Sequence, residues 1–211
     1  NNSTYSVYRS KDLLGEIQLC VPGEHNVLNS LAAVVLGLEM GISFETIQEG
    51  IATYQGVRRR FDIKGIYDDV MLVDDYAHHP TEVEATLKAA KAGWDRRIIA
   101  VFQPHLFTRT QKFFREFAQV LQIADEVIIT DIYPAREKPI PGVTSALIYD
   151  ECSKKLKNRC HSVPDLDDLE KFLDTLVKQN DMVITLGAGS IWRYSESYAT
   201  HLKTLVEGVK G

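Results

Sequence analysis

At 211 residues, with 45% hydrophobic and 25% charged residues, the chain has the make-up of a globular protein large enough to bury a sizeable core. A formal net charge of −5 excludes the basic stripe of a general nucleic-acid binder. No apolar run approaches the roughly 20 residues that a membrane-spanning helix needs. The polar start, Asn1-Asn2-Ser3-Thr4, reads as neither a signal peptide nor an initiator Met, which points to a processed or truncated chain. Cys20, Cys152 and Cys160 form no C-x-x-C pair and read as reduced packing residues of a cytoplasmic protein.

In chain order, residues 5–8 and 15–21 alternate as strands and form a hairpin around a turn at 11–14. Residues 26–40 have helical spacing, with Leu28, Leu31, Ala32, Val35 and Leu38 on the expected core face, Asn26 as N-cap and Gly41 as C-terminal cap. Ser43 opens a second helix over 44–54, and Gly56-Val57-Arg58-Arg59-Arg60 reads as a hinge. From Phe61 onward the grammar changes to alternating strands (66–73, 97–102, 126–131, 160–163 and 182–186) and helices (81–91, 108–123, 145–156, 166–178 and 191–209). Such alternation implies βαβ crossovers. The expected fold is α/β: a Rossmann-like, mostly parallel sheet with helices on both faces over 57–211, preceded over 1–56 by a hairpin and two helices.

The densest polar cluster is Val73-Asp74-Asp75-Tyr76-Ala77-His78-His79-Pro80-Thr81-Glu82, where an apolar strand gives way to a helix. Pro80 suits the first helical position, and Glu82 suits the positive end of the helix dipole. In open α/β sheets ligands bind at the carboxyl ends of strands, so this segment is a site candidate. Asp and His also ligate zinc or manganese, and a metal-dependent hydrolase is the rival reading. Against it, neighbouring residues on a strand point to opposite faces. A third reading is a stand-alone module that binds a nucleotide without chemistry.

One strand later, Gln103-Pro104-His105-Leu106-Phe107-Thr108-Arg109-Thr110 repeats the pattern. Arg109 suits a carboxylate or phosphate, because its planar fork donates two parallel hydrogen bonds. A cation at a helix start opposes the dipole, so an anion is expected beside it. Leu186-Gly187-Ala188-Gly189-Ser190-Ile191 reads either as an anion cradle or as tight strand-on-helix packing. At the first long helix, Gly23-Glu24-His25-Asn26-Val27-Leu28-Asn29 brings a His and two amides to one end, which suits a heteroaromatic base. There is no G-x-x-x-x-G-K-[ST] phosphate loop and no G-x-S-x-G elbow.

Together these motifs resemble the Mur ligase family of ATP-dependent amide-bond ligases. Gly23-x-His25-Asn26-x-x-Asn29 is similar to its adenine-side motif, Arg60-Phe61 to its linker arginine, and Asp75 to the acidic residue opening its C-terminal domain. His78-His79-Pro80-Thr81-Glu82, Phe102-Gln103-Pro104-His105-x-x-Thr108-Arg109-Thr110, Tyr133-Pro134-Ala135-Arg136-Glu137 and Gly187-Ala188-Gly189-x-Ile191-Trp192 resemble the member that uses L-alanine; a tripeptide-recycling relative shares the first of these and is expected to differ over Gln103 to Thr110. Leu106 departs from the family, some members carrying a basic residue there.

The resemblance implies that the chain holds the tail of a central ATPase domain and the whole C-terminal domain. It implies the partners UDP-N-acetylmuramate, L-alanine and ATP, with Mg²⁺ as cofactor, and a reaction through an acyl phosphate. ATP would be met by His25, Asn26, Asn29, Arg60 and Asp75, and the substrates by Tyr76, His78, His105 and Arg109. No residue of this chain is implied to be a metal ligand, and the chain alone is expected to be inactive.

Overall fold

The computed structural model describes residues 3–208, apart from Pro22 and Gln55. They divide into two compact units, one running to Phe61 and the other starting at Asp62, five residues past the division expected from the sequence.

In the first unit, β1 (Ser3–Arg9) and β2 (Asp12–Leu19) pair antiparallel, followed by α1 (Glu24–Glu39) and α2 (Phe44–Ala52). The turn is shorter than expected. Ser10 takes a left-handed φ of 59°, and the strand resumes at Asp12, so Leu13 and Leu14 belong to β2. Helix α1 likewise starts early. Gly23, with φ at 99°, is the N-cap, and Asn26 lies inside the first turn with its N–H on the Gly23 carbonyl (3.0 Å). Ser43 caps α2 as expected, its hydroxyl accepting from the Thr46 N–H (3.3 Å).

The core of this unit is Val7, Ile17, Leu19, Val21, Val34, Phe44 and Ile47, with Val27, Leu31 and Leu38 packed against it. Leu28 (62% exposed) and Val35 (60%) face outward, contrary to expectation. Residues 31–36 of α1 are apolar all round, so spacing alone does not choose its buried face.

The second unit is a six-stranded sheet. Its strands are β3 (Asp62–Tyr67), β4 (Val70–Asp75), β5 (Arg97–Phe102), β6 (Glu126–Ile129), β7 (Cys160–Ser162) and β8 (Asp181–Leu186). Their order across the sheet is β3-β4-β8-β5-β6-β7, parallel except for β3. The segment 66–73, expected as one strand, is a hairpin that turns at Asp68 and Asp69, with φ of 46° and 62°. Two successive positive φ values match the twist of a two-residue hairpin turn.

Five α-helices follow: α3 (Pro80–Gly93), α4 (Phe107–Leu121), α5 (Ala146–Leu156), α6 (Leu169–Leu176) and α7 (Ile191–Gly208). On one face Leu72, Ile99, Val101, Ile128 and Val183 pack against Leu169, Leu173, Tyr198 and Leu202 of α6 and α7. The alternate residues, such as Val73, Ala100 and Phe102, are buried on the other face, where the Phe102 and Phe117 rings lie 4.8 Å apart. Burial on both faces explains why β4, β5 and β8 read as continuous apolar runs.

The amino-terminal ends of four adjacent strands are tied by a ladder of charge. Arg97 on β5 donates from Nε and Nη2 to both Asp181 oxygens on β8 (2.9 and 2.7 Å) and approaches Glu126 on β6 (3.6 Å). Glu126 also meets His161 Nε2 on β7 at 3.0 Å. Asp181 is 2% exposed. Asp181→Ala therefore removes the bidentate partner of a partly buried guanidinium and is expected to lower the unfolding free energy by about 3 kcal/mol. Urea denaturation measures this, and a loss no larger than that of a surface pair, about 0.5 kcal/mol, would contradict the assigned role.

Candidate functional site

The site lies where β4, β8, β5 and β6 end. Because β8 sits between β4 and β5, its trailing loop is held on both sides: the Gly187 N–H donates to the Asp75 carbonyl (3.1 Å), and the Gln103 N–H donates to the Leu186 carbonyl (2.9 Å). The Gln103 side chain is 3% exposed and accepts the Ile191 N–H at Oε1 (3.1 Å), capping α7 from another strand. A Cβ on Gly189 would collide with Gln103 Oε1 and with Tyr133. Of the two readings of the Gly-Ala-Gly loop, tight packing thus has direct support.

Asp74 and Asp75 have separate commitments. Asp74 is fully buried and accepts from the Thr185 hydroxyl (2.8 Å), whereas Asp75, 5% exposed, accepts from the Ala77 N–H (2.8 Å) and turns the chain out of β4. At the start of α3, Glu82 accepts the N–H groups of His78 (3.0 Å) and His79 (3.1 Å), and His79 Nδ1 accepts from the Thr81 N–H. This is a reciprocal capping box with Pro80 in the first turn. Among the described residues, no three His, Cys, Asp or Glu side chains gather as a metal-ligand set, so the Asp-Asp and His-His pairs do not support the hydrolase reading.

Four of the expected substrate residues do come together. The Tyr76 and His78 rings meet edge to face at 5.0 Å, and the His78 and His105 rings at 5.8 Å. Arg109 Nη1 lies 3.2 Å from His105 Nδ1. Hydrogen-bond chemistry then assigns the tautomers. Arginine only donates, so His105 Nδ1 accepts and its proton is on Nε2; a carbonyl only accepts, so His78 Nδ1 donates to the Tyr76 carbonyl (2.8 Å). Among the described residues Arg109 forms no ion pair with a carboxylate, although it is half-buried.

Three residues given no role by the sequence complete the cluster. Besides Gln103, Tyr133 stacks on His105 (5.7 Å, 15°), in a bridge where the Leu106 N–H donates to the Tyr133 carbonyl (3.0 Å) and the Tyr133 N–H to the Pro104 carbonyl (2.8 Å). Leu106, at φ 73°, is the N-cap of α4 and supplies no side-chain cap. Glu137 supplies it, accepting from the Thr108 N–H (3.0 Å) and the Thr108 hydroxyl. The start of α4 is thus capped by an internal carboxylate, which forms no ion pair with Arg109. A buried polar side chain at a strand end was the signal for Gln103; Tyr133 and Glu137 sit on a loop, where the sequence marked them only as the ends of the 133–137 motif.

In the first unit, Asn26 and Asn29 line one pocket of about 320 Å³ with Leu19, Val21, Ser30, Ala33, Gly50, Ile51 and Tyr54. An apolar pocket with two amides on its wall fits a purine. His25 falls on the first turn of α1, but its side chain lies outside the described residues. Arg60 is exposed at the end of this unit, while Asp75 belongs to the second.

Burial pushes the pKa of His105 below 6.5; Arg109 and then His78 act in the same direction, and Glu137 opposes them. A folded-state value below the unfolded one means that folding favours the neutral ring. That contribution is in place above pH 6.5 and is lost as the pH falls through the lowered value. An NMR titration is expected to place His105 below 6.5, and Arg109→Gln to move its midpoint upward. A midpoint above 6.5 would overturn the neutral-acceptor assignment.

Residues 59–189 match the sequence family described as "Mur ligase, glutamate ligase domain". The chain is 50% identical over 191 residues to a UDP-N-acetylmuramate–L-alanine ligase of Salinibacter ruber, covering 90% of this chain and 40% of that protein. It is 47% identical over 199 residues to the Geotalea uraniireducens protein of the same name, covering 94% and 42%. The chain therefore spans about two-fifths of the length of these relatives. Among solved structures, UDP-N-acetylmuramate-alanine ligase from Thermotoga maritima superposes with a TM-score of 0.83 at 30% identity, over 96% of this chain and 43% of that one. A murein peptide ligase from Psychrobacter arcticus follows at 0.66 and 23%, over 95% and 42%. With most of its second unit matched by the family and the polar strand-end segments in place, the chain belongs to the Mur ligase family.

Proposed function

We propose that the chain is the carboxyl-terminal part of an ATP-dependent ligase that joins L-alanine to the lactyl carboxylate of UDP-N-acetylmuramate. The observation that carries this reading is Arg109, a half-buried cation at the carboxyl edge of the sheet, beside a neutral His105 and with no carboxylate partner among the described residues. Such a group fits the carboxylate of an incoming amino acid. Names of the most similar relatives support the same substrates.

In the proposed reaction, phosphoryl transfer from ATP turns the lactyl carboxylate into an acyl phosphate. The amine of L-alanine attacks the carbonyl carbon, the carbon–phosphate ester oxygen bond breaks, and inorganic phosphate leaves as the amide forms. Arg109 orients the acceptor by its carboxylate. Tyr76, His78 and His105 line the acyl end. Asn26 and Asn29, with His25, meet the adenine; Arg60 and Asp75 serve the ribose and phosphates. For Mg²⁺ the described residues offer no donor cluster, and no step is assigned to it. No described helix is long and apolar enough to cross a membrane, and a reaction fed by ATP and a nucleotide sugar belongs in the cytoplasm.

The test is ADP release by the full-length protein supplied with UDP-N-acetylmuramate. Release that depends on L-alanine is expected; dependence on a peptide acceptor instead would favour the tripeptide-recycling relative. In that enzyme Arg109→Ala should raise the L-alanine KM about thirtyfold, equivalent to ~2 kcal/mol, and leave the ATP KM within about twofold. Equal effects on both constants would sink the assignment. The 211-residue chain alone, which carries no phosphate loop, is expected to release no ADP.

A further inference from the structure

Helix α4 begins with two unfavourable features. Its N-cap is Leu106, with φ at 73° and no side chain able to cap, and its first turn carries a cation, Arg109, at the positive end of the dipole. Glu137, 29 residues beyond Thr108, supplies the missing cap. Its two carboxylate oxygens take the Thr108 N–H and hydroxyl, and these bonds to Thr108, ahead of a smaller one to the Phe107 N–H, hold its carboxyl below the usual range. The loop that carries Glu137 is also fixed at Tyr133, which bridges to residues 104 and 106 and stacks on His105. Its far end is closed by the Ser145 hydroxyl on Asp131 (3.0 Å). A ring of contacts results: Glu137 to Thr108, Arg109 to His105, His105 to Tyr133, and back along the loop to Glu137.

We propose that Glu137 is a positioning residue for the acceptor side of the reaction, fixing the first turn of α4 so that Arg109 and His105 keep the geometry that receives the amino acid. This rests on the ligase reading above. Glu137 acts through Arg109 and His105 and does not itself contact substrate, so its loss changes acceptor binding before it changes nucleotide binding.

The experiment compares Glu137→Ala and Glu137→Gln with the unmodified full-length enzyme. Glu137→Ala is expected to raise the L-alanine KM about tenfold while the KM values for ATP and UDP-N-acetylmuramate stay within about twofold. Glu137→Gln, which retains one carbonyl acceptor for Thr108, should recover most of that loss. A cap with only a structural role would lower the melting temperature without separating the three constants, and that result, or an unchanged L-alanine KM, overturns the proposal. Should the alanine variant fail to fold, the glutamine variant decides by NMR. Removing the anion is expected to move the His105 midpoint further down, because Glu137 is the group that raises it, and an unmoved midpoint counts against the proposal. If the unmodified enzyme uses an acceptor other than L-alanine, the substrate reading fails while the same comparison, run with that acceptor, still tests Glu137.

Discussion

The site depends on the placement of β8 between β4 and β5. The chain lays down β4, then β5, and leaves a gap that is filled only by a strand more than 100 residues after β4, as the Thr185 to Asp74 hydrogen bond across 111 residues records. Once β8 is in, its trailing loop is clamped by the Asp75 carbonyl on one side and Gln103 on the other. Gln103 then caps α7, and the lack of a side chain on Gly189 lets Tyr133 and Gln103 close over the loop. The carboxyl edge is therefore assembled by long-range pairing, and the local signals at β4 and β5 acquire their meaning only when the last strand arrives. Pairing at such sequence separation is entropically costly and slow to form.

The two ends of the sheet handle charge in opposite ways. At the amino-terminal ends of β8, β5, β6 and β7, Asp181, Arg97, Glu126 and His161 are matched partner to partner. At the carboxyl ends, Asp74 and Asp75 are used by Thr185 and Ala77, and Glu137 by Thr108, while Arg109 leans on a neutral imidazole. Saturated charge stabilises; a cation left without a carboxylate partner is suited to recognition. The direction of the parallel strands thus separates the end of the sheet where charges are paired from the end that carries the proposed site.

Much of this was legible in the sequence where a local rule has one answer. Arg97–Phe102 reads as a strand because nearly every position is apolar, and Pro80 with Glu82 marks a helix start because both satisfy the same unpaired backbone groups. Legibility failed where two answers fit the same letters. Helix α1 is apolar on several faces, so the expected face through Leu28, Leu31, Ala32, Val35 and Leu38 was right at Leu31 and Leu38 but took in Leu28 and Val35 in place of Val27 and Val34. The hairpin at Asp68 and Asp69 was hidden because β3 and β4 both read as extended, and only two positive φ values divide them. At the site, Arg109 was found from its conflict with the helix dipole, whereas the group that caps the same turn, Glu137, is distant in sequence and was marked only within the 133–137 motif.

Leu106 shows what this arrangement implies for rigidity. A branched side chain at φ 73° stores about 1–2 kcal/mol that glycine would not. The conformation survives because the Tyr133 carbonyl holds its N–H and Thr110 takes its carbonyl with both N–H (3.1 Å) and hydroxyl (2.9 Å). A glycine there would adopt the same backbone without strain, yet it would also be free to leave it. The junction between β5 and α4 is thus a sprung latch: released from its neighbours it has a single favoured direction of escape, and while they hold it, it has little freedom to wander.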